Sequence, residues 1–246
     1  MNTAKILGIT QPLQEIKIEA TGNYRQMTPD EFIAYTARVS NPSNQHNTLT
    51  APKLLKYLIN NKHWSPFEMV SITMEINTTR DISHQIIRHR SFSFQEFSQR
   101  YADPTKDMQF VTREARLQDQ KNRQNSIETD DEKLANDWLD KQAANMGVAQ
   151  NAYEWAIRNG IAKEQARVVL PEGLTSTRLY MAGSLRSWLH YIDVRAEEGT
   201  QKEHRQVVLA AQREILDHFP SLGDYWYPQG EIKFTETKPW WKFWNV

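Results

Sequence analysis

Met69-Val70-Ser71-Ile72-Thr73-Met74-Glu75-Ile76-Asn77 alternates well, with Val70, Ile72, Met74 and Ile76 pointing one way and Ser71, Thr73, Glu75 and Asn77 the other. A period of two is what a strand needs when one face meets a core and the other stays polar, so these residues predict a half-buried strand in an antiparallel sheet. Residues 80–87 follow at once and change the spacing: Ile82 and Ile86 stand four apart, which reads as a short helix. The expected fold class is therefore α+β, an antiparallel sheet with long helices, in one domain spanning residues 1–246.

Working outward from this strand, residues 4–9 and 15–19 read as further strands. Thr28-Pro29-Asp30-Glu31 is a helix start, with Thr as N-cap, Pro at the first helical position and Glu closing a capping box; that helix is expected to run to about Val39. A second helix opens near Thr50 and carries Leu54, Leu55, Leu58 and Ile59 on one stripe. Residues 113–133 are rich in Gln, Asn and Asp with little apolar periodicity, and read as a mobile polar excursion. A helix resumes near Asp131 and stops at Asn159-Gly160. Residues 161–169, carrying Arg167, read as a short helix ended by Pro171. Thr177 is expected to cap a long helix bearing Leu185, Trp188, Leu189 and Ile192, broken at Gly199-Thr200. A last helix uses Val207, Val208, Ala211, Ile215 and Leu216. The tail, residues 238–246, contains Trp240, Trp241 and Trp244, and is expected to dock on its own protein.

The chemistry is concentrated just after the strand. Arg88-His89-Arg90-Ser91-Phe92-Ser93-Phe94-Gln95-Glu96-Phe97-Ser98-Gln99-Arg100-Tyr101 packs three arginines, a histidine, a carboxylate and four aromatic rings into one segment. Guanidinium groups suit phosphate because their planar fork makes paired, charge-assisted hydrogen bonds. The rings offer faces to a flat heterocycle. On a helix, residues two apart diverge by about 200°, so Arg88 and Arg90 cannot serve one pocket there. Either the chain unwinds, or the two arginines serve different pockets, even in different subunits.

Thirty basic residues balance thirty acidic ones, which removes any global attraction to nucleic acid or membrane. Residues 80–106 hold five basic groups against three acidic, a patch the size of a small ligand. The chain has no cysteine, so it has no disulfide, thiolate nucleophile or cysteine-ligated metal. His84 and His89 lack a third ligand in sight, and no metal is expected. No stretch of about 18 apolar residues and no signal-peptide core is present, so a cytoplasmic location is expected.

Arg-His-Arg, seven residues and Ser, followed by Gln-Arg-Tyr, resembles the defining motif of the flavin-dependent thymidylate synthases. His63-Trp64-Ser65-Pro66-Phe67-Glu68, Ala166-Arg167-Val168-Val169-Leu170-Pro171 and the segment from Arg186 to Arg195 are similar to that family's other blocks in the same order. The resemblance implies reductive methylation of dUMP to dTMP. FAD would be the redox cofactor, NADPH the reductant and 5,10-methylenetetrahydrofolate the carbon donor, in a homotetramer with sites shared between subunits. By matching positions it implies FAD contacts from His63, Ser65, Arg88, His89, Arg90, Ser91, Glu96, Ser184, Leu185, Arg186 and His190. It likewise implies a dUMP site from Gln85, Arg88, Glu96, Ser98, Gln99, Arg100, Arg167 and Arg195, with Arg195 against the pyrimidine as the catalytic residue. The chain departs from the family pattern at Ser184 and His190, where asparagine is usual. It also departs at Gly199-Thr200, where a histidine is common, and by one extra residue between Pro171 and Arg178.

The absent cysteine agrees with this resemblance, since the ordinary thymidylate synthases activate the uracil ring by adding a thiolate. Ser98 reads better as a hydrogen-bonding group than as a nucleophile, because no general base stands beside it. The competing reading is a single-stranded nucleic-acid-binding protein, with arginines on phosphates and phenylalanines stacking bases. Neutral net charge argues against it.

Overall fold

A computed structural model of the chain describes residues 2–17 and 21–227, so the Trp-rich tail lies outside the described residues. In chain order the elements are β1 (Thr3–Ile9), β2 (Glu15–Lys17), β3 (Tyr24–Gln26), α1 (Pro29–Ala37), α2 (Ala51–Asn60), β4 (Ser71–Thr79), α3 (Arg80–Ile86), β5 (Ser93–Glu96) and α4 (Pro104–Asp107). They continue with β6 (Arg116–Gln118), β7 (Ser126–Glu128), α5 (Glu132–Arg158), α6 (Lys163–Ala166), β8 (Ser176–Ser184), α7 (Leu185–Arg195), α8 (Lys202–His218) and α9 (Gly223–Trp226). The class is mixed helix and antiparallel sheet. Two compact units divide the chain: Met1–Thr10 with Phe67–Ile215, and Gln11–Pro66 with Leu216–Val246.

In the first unit an antiparallel sheet runs in the order β1-β4-β8-β5. The alternation in β4 does what its spacing requires, because Ile72, Met74 and Ile76 are all buried. Opposite them in register stand Gly183, Met181 and Leu179 of β8, so the two strands bury the same face. At roughly 1.5–3 kcal/mol for each buried aliphatic side chain, this shared face outweighs any local helix preference.

Thr177 does not cap a helix: residues 176–184 are a strand, and α7 begins at Leu185. Thr177, Leu179 and Met181 are buried while Arg178 and Tyr180 are not, a period of two in a segment too short to outvote the helical pattern beyond it. The true cap is Ser184, whose side chain accepts from the amide of Ser187.

Helix α7 then buries Trp188, Leu189, Tyr191 and Ile192, and α8 buries Val207, Val208, Ala211 and Ile215. Trp188 donates its indole N–H to the carbonyl of Ile72, tying α7 to the sheet at 3.3 Å. Phe92 lies edge-on to Trp188 at 4.9 Å and covers Gly183 so closely that a Cβ there would meet its ring at 2.5 Å. Glycine at 183 thus lets the segment after Arg88-His89-Arg90 settle onto the sheet.

Part of the polar excursion is folded as a β6–β7 hairpin, Arg116 opposite Glu128 and Gln118 opposite Ser126. Its apolar residues, Leu117 and Ile127, are exposed. It is held by ion pairs, Arg116 to Glu203 and Lys202 to both Glu114 (2.7 Å) and Glu128 (2.6 Å), which leave no apolar period to detect. Helix α5 is capped by Asp131 and stops at Gly160, whose φ of +76° suits glycine. Its Tyr153 and Ala156 pack with Ala166 and Leu170, which fixes the turn that carries Arg167.

In the second unit the capping box of Thr28 and Glu31 is present, and α1 and α2 bury Ile33 and Leu55 completely. The β2–β3 hairpin pairs Glu15 with Gln26.

Candidate active site

Helix α3 ends at Ile86, so Arg88, His89 and Arg90 occupy a turn, and the first of the two alternatives for the arginines holds: the chain unwinds. Arg88 and Arg90 are exposed, and neither makes an ion pair or a side-chain hydrogen bond among the described residues. Ser91 is exposed beside them. His89 points the other way. Its Nε2 accepts from Nε of Arg195 at 3.0 Å, and its ring meets Tyr191 edge-on at 4.8 Å. Burial, then the charges of Arg195 and His190, lower its pKa from 6.5 to about 4. A neutral imidazole therefore orients Arg195 without cancelling its charge, as a carboxylate would. The Nη groups of Arg195, half-buried at the end of α7, make no hydrogen bond among the described residues.

A second cluster forms where β5 and β8 begin their pairing. Glu96 accepts from Arg80 at 3.4 Å and from the hydroxyl of Thr177 at 2.9 Å. Next to it a cavity of about 460 Å³ is lined by Arg80, Gln99, Glu164, Arg167, Leu170 and Glu172. Gln99 is only 4% exposed, yet its amide Nε2 has no hydrogen-bond partner among the described residues. A buried donor left unpaired costs about 1–3 kcal/mol, so Gln99 and the guanidinium groups beside it fit a ligand that brings acceptor oxygens. Arg100 pairs with Glu164 at 3.0 Å, with both side chains exposed. Such a pair is worth at most about 1 kcal/mol, so an incoming phosphate can displace it. Ser98 accepts from the amide of Arg100 at 3.3 Å and touches no base, a turn-forming role.

A third cluster lies at the opposite end of β8. Ser184 donates to Glu68, and Arg186 donates to the same carboxylate at 2.8 Å. These bonds, Ser184 first, hold Glu68 below the usual carboxylate range against the opposing effect of burial. Leu185 is fully buried and spends its amide on the carbonyl of Val70, whereas His190 is exposed on α7. At about 3.3 Å per residue the two ends of β8 stand roughly 25 Å apart. His63 and Ser65 belong to the second unit; both are exposed, and the ring of His63 meets Tyr57 at 6.0 Å.

Gln85 does not stand free. Its Nε2 donates to Gln201 at 2.8 Å, and its Oε1 faces Nδ1 of His204 at 3.2 Å. His204, Gln201 and Glu203 escaped the sequence reading, as did Glu68. The available signal was His204 itself, a polar residue on the stripe that α8 otherwise fills with Val207, Val208 and Ala211. No group of three or more metal-ligating side chains occurs among the described residues, and no described helix is long and apolar enough to cross a membrane.

The chain matches the family model described as thymidylate synthase complementing protein over residues 24–221. It is 48% identical over 218 residues to the flavin-dependent thymidylate synthase of Synechocystis sp., covering 89% of this chain and 96% of that one. It is 44% identical over 220 residues to the probable flavin-dependent thymidylate synthase of Paramecium bursaria Chlorella virus 1, again covering 89% and 96%. Among solved structures, a UMP/dUMP methylase, PolB of Streptomyces cacaoi bound with 5-Br dUMP, shares the fold. The TM-score is 0.73 at 22% identity, over 90% of this chain and 92% of that one. None of these relatives supports a nucleic-acid-binding protein.

Proposed function

The chain belongs to the thymidylate synthase complementing protein family, whose relatives are flavin-dependent thymidylate synthases, and we propose that it performs their reaction with the three clusters described above. It converts dUMP to dTMP: C5 of the uracil ring gains a methylene carbon from 5,10-methylenetetrahydrofolate and gives up its proton. When bound, FAD reduced by NADPH supplies the hydride that completes the methyl group.

The observation that carries this reading is the pairing of Arg195 with a neutral His89. With no cysteine, the ring cannot be activated by thiolate addition. A fixed, uncancelled positive charge at the pyrimidine edge favours the anion formed by loss of the N3 proton and pushes electron density toward C5. In a site shielded from water such a charge counts for several times its value in solution. Because His89 takes only Nε, both Nη groups of Arg195 stay available to the base.

Gln99, Arg100 and Arg167 hold the nucleotide phosphate, Gln99 gaining the acceptor that no described residue gives it. Gln85, Arg88, Glu96 and Ser98 complete the dUMP site. The guanidinium groups of Arg88 and Arg90 suit the diphosphate of FAD, with Ser91, Ser184, Leu185, Arg186 and His190 as its further neighbours. The span of roughly 25 Å along β8 favours sites assembled from more than one protomer, as a homotetramer would provide. The enzyme is placed in the cytoplasm with its small-molecule substrates, without a nucleic-acid or membrane partner.

The test is direct. Purified protein should show an oxidised-flavin spectrum that NADPH bleaches, and should form dTMP when dUMP and methylenetetrahydrofolate are added. Colourless protein that forms no dTMP even with added FAD would refute the reading.

A further inference from the structure

His204 is fully buried on the apolar face of α8, where an unpaired imidazole would be strongly disfavoured. It persists there because both ring nitrogens are used. Nε2 lies 2.9 Å from the hydroxyl of Tyr191, and Nδ1 lies 3.2 Å from Oε1 of Gln85.

The direction of these bonds follows from the far end. The carboxylate of Glu203 accepts only, so Gln201 must turn its Nε2 toward it, at 3.0 Å. Gln201 then presents Oε1 to Gln85, which answers with its own Nε2 at 2.8 Å. This leaves Oε1 of Gln85 facing His204, so Nδ1 carries the proton and Nε2 accepts from Tyr191. Glu203 is itself anchored by Arg116 of the hairpin. Every amide and ring in the line thus has one satisfied orientation, and reversing any member would set two like groups face to face. Gln85 keeps one N–H and one lone pair for a ligand.

We propose that His204 is a positioning residue for the nucleotide site: it locks the side-chain amide of Gln85 in the orientation that meets dUMP. This rests on the reading that Gln85 faces the nucleotide. Presetting the amide spares the bound state the cost of immobilising a mobile side chain, and so acts on dUMP affinity rather than on the chemical step.

The experiment measures dUMP KM and kcat on the flavin-loaded enzyme. His204→Leu should raise KM about tenfold with kcat within about twofold. His204→Asn, which keeps a donor at the δ position, should return KM to within about threefold of the parent. His204→Gln, whose polar atoms reach only the ε position and Tyr191, should not. In a Gln85→Leu background, itself raised in KM, His204→Leu should add nothing. A further tenfold loss there, or Asn and Gln variants that behave alike, would overturn the proposal. If His204→Leu does not fold, the contrast between Asn and Gln decides alone. An unchanged KM in Gln85→Leu would remove the assignment of Gln85 to dUMP and this proposal with it. Weakened binding in Gln85→Leu with no contrast between the Asn and Gln variants would remove this proposal only.

Discussion

Acid should destabilise this protein through one buried histidine. Burial, then the charges of Arg195 and His89, lower the pKa of His204 from 6.5 to about 3. Between those values the unfolded chain binds a proton that the folded chain refuses. The stability held by neutral His204 is therefore complete above about pH 7.5. It declines as the pH falls through 6.5, and the loss saturates near the folded value. At pH 5 the group lies far above its folded pKa and about 1.5 units below its unfolded one, so at 1.36 kcal/mol per unit the loss is about 2 kcal/mol. Half-buried His89, lowered to about 4, acts in the same direction, reduced by solvent screening to roughly 1 kcal/mol. Glu68 and Asp81, whose pKa values are lowered, lose their contribution only below the ordinary carboxylate range, so they stay silent in this window. Urea unfolding followed by tryptophan fluorescence at pH 8 and pH 5, at one fixed protein concentration, reads the difference. With a slope of about 2 kcal/mol per molar, His204 moves the midpoint by roughly 1 M. His204→Asn carries no titrating ring and should lose about 2 kcal/mol less than the parent between the two pH values. Equal losses in parent and variant would show that His204 is not held neutral by its surroundings.

Gly183→Ala places a Cβ 2.5 Å from the ring of Phe92. It should lower stability by about 1–3 kcal/mol and reduce flavin content, because Phe92 follows directly on Arg88-His89-Arg90-Ser91; an unchanged thermal midpoint would contradict the packing described for β8. Arg195→Ala should retain flavin yet lose at least about a hundredfold in kcat, the scale seen when a preorganised charge is removed. Turnover within tenfold of the parent would end the electrostatic account. Ser98→Ala should keep measurable dTMP formation, since its hydroxyl accepts from the amide of Arg100 and meets no base among the described residues; total inactivity with normal dUMP binding would restore the nucleophile reading. Thr28→Ala removes half of a capping box and should cost about 1 kcal/mol in unfolding free energy without altering KM for dUMP.

Features that depend on a few neighbouring residues were legible in the chain itself. The alternation of β4 named a strand because Ile72, Met74 and Ile76 recur every second position, and burial obeyed that period. Thr28 and Glu31 announced α1, and Asp131 with Gly160 bounded α5, because a cap satisfies backbone groups within one turn. The cluster from Arg88 to Tyr101 was visible for the same reason: its chemistry is contiguous. The reading of Thr177 as a cap failed because a threonine before polar and apolar residues suits a helix start and a strand alike. Only pairing with β4 distinguishes them, and that partner lies about a hundred residues earlier.

The relations that make a site out of these residues belong to tertiary structure. Gln85 meets Gln201 across 116 positions, His89 meets Arg195 across 106, and Ser184 meets Glu68 across 116. No local periodicity encodes such pairs, since each is set by how the sheet brings α3, α7 and α8 together. The chain alone determined which chemical groups are available, cysteine being absent and guanidinium groups gathered after β4. Folding decided which of those groups are neutralised, which are oriented and which keep their hydrogen bonds for a ligand, because burial and long-range pairing set the charge and direction of each side chain.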